Sequence, residues 1–289
     1  MLVNRGSNIT CSAFLLMSLF SFTTYLYAED DHIFDTHIHY SASDAEVISP
    51  VKFLQILDSN QITHAIVIGT PATHMASLYR AAPKRIIPFL NVYQTPEDKQ
   101  FWYRNKTLPQ WVGRQLDEGP WLGIGELHLF AEHRSSPIFN AIVKLASERN
   151  LILHMHADPA VIDSLYEHSP EVRVIWAHAG AYPYPPLLRD YLRRYPYLYI
   201  DLSVRDNLIA PGGKLDEEWE ELFIDYSDRF MVGVDTYSPQ RWSGFDSVIQ
   251  QIKGWLMQLP KVVGQDLAYR NAKRLLDSIR SKKVRKFKR

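Results

Sequence analysis

The chain has 289 residues, of which 46% are hydrophobic, and its 32 basic residues balance its 32 acidic residues. This length suits one large α/β domain, and the hydrophobic content is enough for a substantial core. A formal net charge of zero argues against the strongly basic surface with which proteins bind the phosphate backbone. We therefore expect a globular domain and no nucleic-acid partner.

The first 28 residues have the pattern of a secretory signal peptide. A single early charge, Arg5, precedes an apolar run over residues 12–27, and the small residue Ala28 follows that run. The run is shorter than the ~20 apolar residues of a membrane span, so we expect cleavage after Ala28 and no stable membrane insertion afterwards. The sequence thus predicts an exported protein, periplasmic or secreted. Leu26 is bulky for its place before the cut, which leaves an uncleaved anchor as the alternative.

The position of the only cysteine limits which side chains of the mature chain can bind a metal. The only cysteine, Cys11, lies in the predicted signal peptide, so the mature chain would have no disulfide and no thiolate. Any bound metal must then be held by histidine, aspartate and glutamate side chains.

Short apolar or β-branched runs alternate with amphipathic stretches from residue 33 onwards. One such stretch, SPIFNAIVKLASERN, has apolar residues at helical spacing, and Asp158-Pro159 is a typical helix start. The predicted strands, in chain order, are IFDTHIH, THAIVIG, IIPFLNV, WLGIGELH, LILHMH, VRVIWAH, YLYIDLS and RFMVGVD.

Strands that alternate with helices predict a parallel sheet built from βαβ units. Eight units in about 250 residues have the size of a (β/α)8 TIM barrel. We predict one barrel domain over residues 29–280 and a basic C-terminal tail over residues 281–289. An open doubly wound sheet is the alternative, but no glycine-rich phosphate motif follows the first strand.

Polar residues end most of the predicted strands, where the functional side chains of such barrels gather. His37 and His39 lie on one side of the first strand because side chains alternate faces with period two. Each residue by itself has an ordinary explanation as a core histidine, an ion pair or a helix cap. Together, in one fold whose strand ends converge, they favour a metal site. The full set is His37, His39, Glu126, His128, His154, His156, His178, Asp201 and Asp235.

An ordered series of motifs resembles the metal-dependent amidohydrolase superfamily, and within it the amidohydrolase-related branch, also called amidohydrolase 2. The resemblance covers residues 33–277, nearly the whole mature chain. The matching motifs are DTHIH, GIGE, LILH, WAHAG, YIDLS, VGVD and a terminal RNAKRLL.

The resemblance implies a role for several of these residues. His37 and His39 match the first-strand pair that binds the buried metal, His178 the sixth-strand ligand and Asp235 the eighth-strand aspartate. On the fifth strand the match is to His154, with His156 as the alternative. Glu126 resembles a carboxylate that bridges two metals in some branches, so one or two ions are expected.

Ligands of these types favour zinc, with manganese possible. The expected activity is metal-dependent hydrolysis of a small amide, lactone or ester by an activated water, with Asp235 as the general base. The alternatives are a decarboxylase of an unsaturated acid on the same site and an exported metal-binding barrel without catalysis.

Other residues are candidates for supporting the metal or binding the small-molecule substrate. Arg205 could pair with a substrate carboxylate or phosphate, or form a surface salt bridge. Aromatic residues after the strand ends, among them Tyr182, Tyr184 and Tyr237, could line a pocket or pack in turns. The candidates for metal support or substrate contact are His128, His156, Asp201 and Arg205.

Overall fold

The computed structural model describes Met1 and residues 32–286, with side chains up to Ile279. The predicted signal peptide beyond Met1 and the last three residues of the predicted basic tail lie outside the described residues. Residues 281–286 of that tail continue the last helix of the chain.

All eight predicted strands are present. They are β1 (Ile33–Ser41), β2 (Ile62–Thr70), β3 (Ile86–Leu90), β4 (Gly123–Leu129), β5 (Ile152–Ala157), β6 (Arg173–Trp176), β7 (Leu198–Asp201) and β8 (Phe230–Met231).

The strands form one parallel sheet in which each strand pairs with the next along the chain. Hydrogen bonds also join β1 to the residues around the end of β8. The Thr36 amide donates to the Val232 carbonyl (3.0 Å), and the Asp235 amide donates to the His37 carbonyl (2.7 Å). The first and last strands thus meet, and the predicted (β/α)8 barrel is confirmed, in a single domain.

Helices follow the strands and cover the sheet. They are α1 (Ala42–Val47), α2 (Pro50–Ser59), α3 (Ala72–Ala81), α4 (Leu108–Glu118), α5 (Pro137–Glu148), α6 (Pro159–His168), α7 (Pro185–Arg194), α8 (Asp206–Ile209), α9 (Glu217–Asp225), α10 (Phe245–Leu256), α11 (Lys261–Gln265) and α12 (Asn271–Lys286).

Two helix starts show how the sequence determines local structure. The Ser136 side chain accepts hydrogen bonds from the amides of Ile138 and Phe139 and so caps α5. Asp158 occupies the N-cap position of α6 and Pro159 its first turn, as predicted, but the Asp158 side chain does not cap that helix. Its carboxylate instead accepts from the Ala131 amide (2.8 Å), which ties the loop after β4 to the loop after β5.

The last helix closes one end of the barrel. A cluster of buried side chains from the strands, including Phe34, Ile152 and Met231, packs against residues of α12. The Asn271 side chain donates to the carbonyls of Ser227 and Phe230, at the start of β8. The end where the strands begin is therefore filled, and the opposite end, where the polar residues gather, is left for the site. In the described part of the chain, no helix has the length and apolar character needed to span a membrane.

Candidate metal centre

The two histidines of β1 point into the same space. The Nε2 atoms of His37 and His39 lie 3.1 Å apart. The His39 backbone is held by Thr236, whose hydroxyl accepts from the His39 amide (3.0 Å) and donates to its carbonyl (2.7 Å). The alternation of side chains in β1 thus produces the pair that the sequence predicted.

Asp201, at the end of β7, lies behind His37. Its Oδ2 atom is 2.9 Å from the His37 Nδ1 atom, and Ser203 donates both its amide and its hydroxyl to the same carboxylate. A carboxylate at Nδ1 places the proton there and leaves Nε2 as an electron-pair donor. The structure thus places Asp201 where it orients His37, and Ser203 where it orients Asp201.

Glu126, on β4, is the carboxylate on which most of the imidazoles converge. One of its oxygens lies 3.4 Å from the Nε2 atoms of both His39 and His128. The other lies 3.1 Å from the His156 Nδ1 atom and 3.2 Å from the His178 Nε2 atom. Because His128 and His156 are partners in the register of β4 and β5, their rings stack 4.4 Å apart beside this carboxylate.

His178 and Asp235 follow β6 and β8 in a left-handed backbone conformation, with φ angles of 60° and 57°. Residues other than glycine adopt this conformation rarely, and it concentrates at functional sites, where surrounding contacts stabilise it. Arg205 provides such contacts at His178, since its Nε atom donates to the His178 carbonyl (2.7 Å). Arg241 does the same at Asp235, with its Nη2 and Nε atoms on the carbonyls of Val234 and Asp235.

The glycine of the VGVD motif makes room for the centre. A Cβ atom at Gly233 would approach the Asp201 carboxylate and the His37 Cβ atom to 2.8 Å, which is closer than packed atoms allow. Any side chain at this position would displace His37 or Asp201. The motif glycine is thus explained by the close approach of β8 to β1.

The charges in the centre influence one another strongly. Burial acts to lower the pKa of His37, but the carboxylates of Asp235 and Glu126 raise it well above its ordinary value. Burial acts to raise the pKa of Glu126, but the neighbouring imidazoles, His128 first, hold it well below its ordinary value. Burial keeps the pKa of His128 well below normal, so that its ring is neutral, which is the form that binds metals.

The structure places the two histidines of β5 differently. His156 meets Glu126, whereas His154 is fully buried with its ring edge against His37, 4.4 Å away between ring centres. Neither ring nitrogen of His154 has a hydrogen-bond partner among the described residues. Of the two predicted β5 candidates, the structure thus brings only the alternative, His156, into contact with the Glu126 carboxylate.

The donor set fits a divalent metal. The Asp235 Oδ1 atom is buried, has no hydrogen-bond partner among the described residues, and lies 3.4 Å from the His39 Nε2 atom. Electron-pair donors that face each other at such distances need a proton or a metal cation between them. Three groups of described side chains bring such donors together, and Glu126 belongs to two of them. The first is His37, His39 and Glu126, and the second is Glu126, His128 and His156.

A third grouping, of His37, His178 and Asp201, also brings donor atoms together. The Asp201 oxygens, however, already accept from His37, Ser203 and Thr36. Burial acts to raise the pKa of Asp201, but the hydrogen bond and the charge of His37 hold it below its ordinary value. The contacts of Asp201 are thus those of a residue that supports His37.

The metal centre lies in a cavity of about 620 Å³, whose lining includes Glu126, Asp235, Arg205 and Tyr237. Of the aromatic candidates, only Tyr237 is part of that lining, and it is largely exposed. Tyr182 and Tyr184 are exposed elsewhere on the loop after β6. The cavity brings Arg205 to the same space as the ligands, and Arg205 forms no ion pair with a carboxylate in the described part of the chain.

Several supporting residues were not predicted from the sequence. Tyr93, which follows β3, accepts from the His128 amide (2.8 Å), and its hydroxyl lies 3.2 Å from the His128 Nδ1 atom. Asp35 is buried between β1 and β8 and accepts from the amides of His37 and Val234, and burial raises its pKa to about 7. Ser203 lies in the turn just after β7, and its place two residues after Asp201 in the motif YIDLS is the one signal by which it could have been found.

Comparison with known proteins identifies the family. The sequence model of a family described as amidohydrolase matches residues 35–277, most of the chain. The chain belongs to this amidohydrolase family. No curated protein sequence is similar enough to the chain to match it. Membership makes this amidohydrolase an enzyme of the hydrolase class, and the cluster of histidine and carboxylate side chains fits the divalent metal that such enzymes use.

Solved structures similar to this amidohydrolase share its barrel at low sequence identity. An uncharacterised TIM-barrel protein from Bordetella bronchiseptica has a TM-score of 0.61 and 13% identity, over 86% of this chain and 99% of that one. An amidohydrolase from Burkholderia multivorans with bound HEPES has a TM-score of 0.55 and 15% identity, over 85% and 99%. A TatD homologue from Escherichia coli has a TM-score of 0.56 and 14% identity, over 81% and 94%. At such identities these likenesses support the fold alone.

Proposed function

We propose that this amidohydrolase hydrolyses a small amide, lactone or ester with an activated water, and that Asp235 is the general base. The observation that carries the proposal is the Asp235 Oδ1 atom. It is buried beside the two histidines of β1, it borders the cavity, and it has no hydrogen-bond partner among the described residues. A carboxylate in this position is free to accept a proton from a water in the cavity.

His37, His39, Glu126, His178 and Asp235 would hold a divalent metal, with His156 as the β5 ligand. Zinc suits this mixture of imidazole and carboxylate donors best, and manganese second. The sharing of Glu126 by two groups of donors supports a pair of ions. When bound, such a metal lowers the pKa of a coordinated water and stabilises negative charge on the substrate oxygen.

The side chains of the chain itself supply the remaining steps. Asp235 takes the proton of the attacking water and returns it to the leaving nitrogen or oxygen, so the carboxylate is regenerated at the end of the cycle. The left-handed turn at Asp235, held by Arg241, fixes the direction of this carboxylate. His128, kept neutral by burial, presents its Nε2 atom towards Glu126 and is held in place by Tyr93.

The cavity supports a small substrate. A volume of about 620 Å³ lies within the range of pockets that enclose most of a small molecule. Its walls are formed by the loops after several strands, as is usual for the catalytic face of a barrel.

The substitution Asp235→Asn tests the proposal. We expect this variant to lose about 10²–10⁴-fold in turnover on whichever member of a panel of amides, lactones, esters and phosphoesters the wild type hydrolyses, because the amide cannot accept the proton. Metal content measured by mass spectrometry should show that the variant still binds metal, since asparagine retains an oxygen donor.

Asp158→Asn is the matched control, because Asp158 also follows a strand but lies outside the cavity lining. It should retain wild-type turnover. Release of carbon dioxide from unsaturated acids, assayed in parallel, detects the decarboxylase. Unchanged turnover in metal-loaded Asp235→Asn, or no hydrolysis by the wild type across the panel, would refute the proposed function.

A further inference from the structure

Two arginines hold the turns that carry candidate ligands, and they do so in the same way. Arg205 donates from Nε to the His178 carbonyl (2.7 Å) and from Nη2 to the Gly180 carbonyl (3.3 Å). Arg241 donates from Nη2 to the Val234 carbonyl (2.7 Å) and from Nε to the Asp235 carbonyl (3.2 Å). Each guanidinium thus has two of its donors on neutral backbone oxygens.

The two arginines differ in their surroundings. Arg205 lines the cavity that contains the metal centre, whereas Arg241 does not. Arg241 lies over the Tyr237 ring, 5.5 Å from its centre. Of the two arginines, Arg205 is therefore the one beside any molecule that occupies the cavity.

Arg205 forms no ion pair with a carboxylate within the described residues. The side chain is half-buried, so water screens its charge less than it would at the surface. The carboxylate that acts on it electrostatically, Asp201, is already engaged with His37 and Ser203. An anion in the cavity would supply the missing counter-charge in a partly desolvated place, where such a contact is strong.

The other charged residues of the cavity wall are of both signs. The carboxylates of Glu126 and Asp235 belong to the candidate metal centre, where a bound cation would offset their charge. Lys99, after β3, also lines the cavity, although it is exposed and so more screened. Asp44 is acidic and lines the cavity too, but its oxygens already accept from Trp242 and Ser41.

We propose that Arg205 binds a carboxylate of the substrate, so that the substrates of this enzyme are small carboxylic acids that also carry the hydrolysable group. The inference rests on the proposed function, because it names the substrate class of the same site. Arg205 is anchored to the backbone of His178, so the carboxylate would lie on the His178 side of the centre. The planar guanidinium would orient the substrate so that its scissile group points towards Asp235.

Binding of simple dicarboxylates tests this inference without any need for turnover. Calorimetric titration of zinc-loaded protein, freed of excess metal, would compare each acid of the series from malonate to adipate with its neutral diamide. We expect at least one dicarboxylate to bind about 10- to 100-fold more tightly than its diamide, the range of a charge-assisted hydrogen bond.

Arg205→Gln and Arg241→Gln are the matched variants, because both remove a guanidinium from two backbone carbonyls. Both should loosen a turn of the centre, seen as reduced metal occupancy before reloading. Only Arg205→Gln should lower the preference for the dicarboxylate, measured as the ratio of the two affinities in the same metal-reloaded variant, by about 10-fold or more. Arg205→Lys, which keeps the charge but loses the planar fork, should show an intermediate preference.

The inference is overturned if the wild type binds no dicarboxylate better than its diamide, or if both glutamine variants lose the preference equally. If Arg205→Gln does not fold, Arg205→Lys carries the comparison with Arg241→Gln, because a carboxylate that bound only to the zinc would be preferred equally by both variants. A failure of the proposed function has a different signature, namely an absence of hydrolysis with the Arg205-dependent binding intact. Conversely, the wild type could hydrolyse neutral substrates while Arg205→Gln leaves the preference for the dicarboxylate unchanged. This result would support the proposed hydrolase and refute the carboxylate-binding role of Arg205.

Discussion

Two histidines of one strand show how little separates a ligand from a core residue. His154 and His156 are two positions apart on β5, yet His156 reaches Glu126 and His154 packs against His37 and Phe89. Parity in the strand gives both the same side of the sheet. What differs is their height in the barrel, because His156 pairs with His128 in register and lies nearer the open end.

His156→Ala and His154→Ala should therefore have opposite effects on metal and stability. The first should weaken metal binding by at least 10-fold, as loss of a direct ligand does, with a small effect on folding. The second should retain the metal but lower the free energy of unfolding by roughly 2–5 kcal/mol, because it leaves a cavity in a packed interior. Metal titration and denaturant unfolding of both variants would measure this. Loss of metal only from His154→Ala would restore the original assignment.

The residues at the starts of α5 and α6 also link neighbouring parts of the barrel. Ser136 begins α5 by accepting from two free amides of the first turn, and its hydroxyl also donates to the Tyr103 carbonyl (2.7 Å). Asp158 lies at the start of α6, but its carboxylate accepts a hydrogen bond from the Ala131 amide in the loop after β4. The elements are thus linked to each other at the same face that carries the metal centre.

Ser136→Ala should lower the free energy of unfolding by about 1 kcal/mol, because the first-turn amides of α5 lose their acceptor. Ser135→Ala is the control, since Ser135 is exposed and does not cap the helix. It should change stability by less than about 0.5 kcal/mol. Denaturant unfolding at constant metal concentration is the measurement, and equal effects of the two substitutions would contradict the assigned cap.

At the scale of the whole molecule, the barrel brings together charges that are far apart in sequence. His37 and Asp235 are 198 positions apart, yet the Asp235 amide donates to the His37 carbonyl, where β8 meets β1. The carboxylates of Glu126 and Asp235 are both buried near His37, and a bound cation would offset their repulsion. Binding of that cation to the folded state alone would stabilise the fold.

Removal of metal should therefore destabilise the barrel. With free metal at 100 times its dissociation constant, binding contributes about 2.7 kcal/mol, so a chelator should lower the melting temperature by roughly 5–10 °C. Differential scanning calorimetry with and without chelator, followed by restoration with zinc, would show this. An unchanged melting temperature in protein shown to have lost its metal would mean that the centre does not bind the ion tightly.

The sequence by itself determined the eight strands, the barrel they imply and the histidine and carboxylate side chains at the strand ends. It could do so because apolar strand segments and helical periodicity are properties of short stretches of sequence. It also indicated His37, His39, His178 and Asp235 through ordered motifs. Only the tertiary structure decided which β5 histidine meets Glu126, that Ser203 and Tyr93 support the ligands, and that Arg205 faces the cavity. These are contacts between distant parts of the chain, and they depend on strand register, on left-handed turns and on the height of each side chain in the closed barrel.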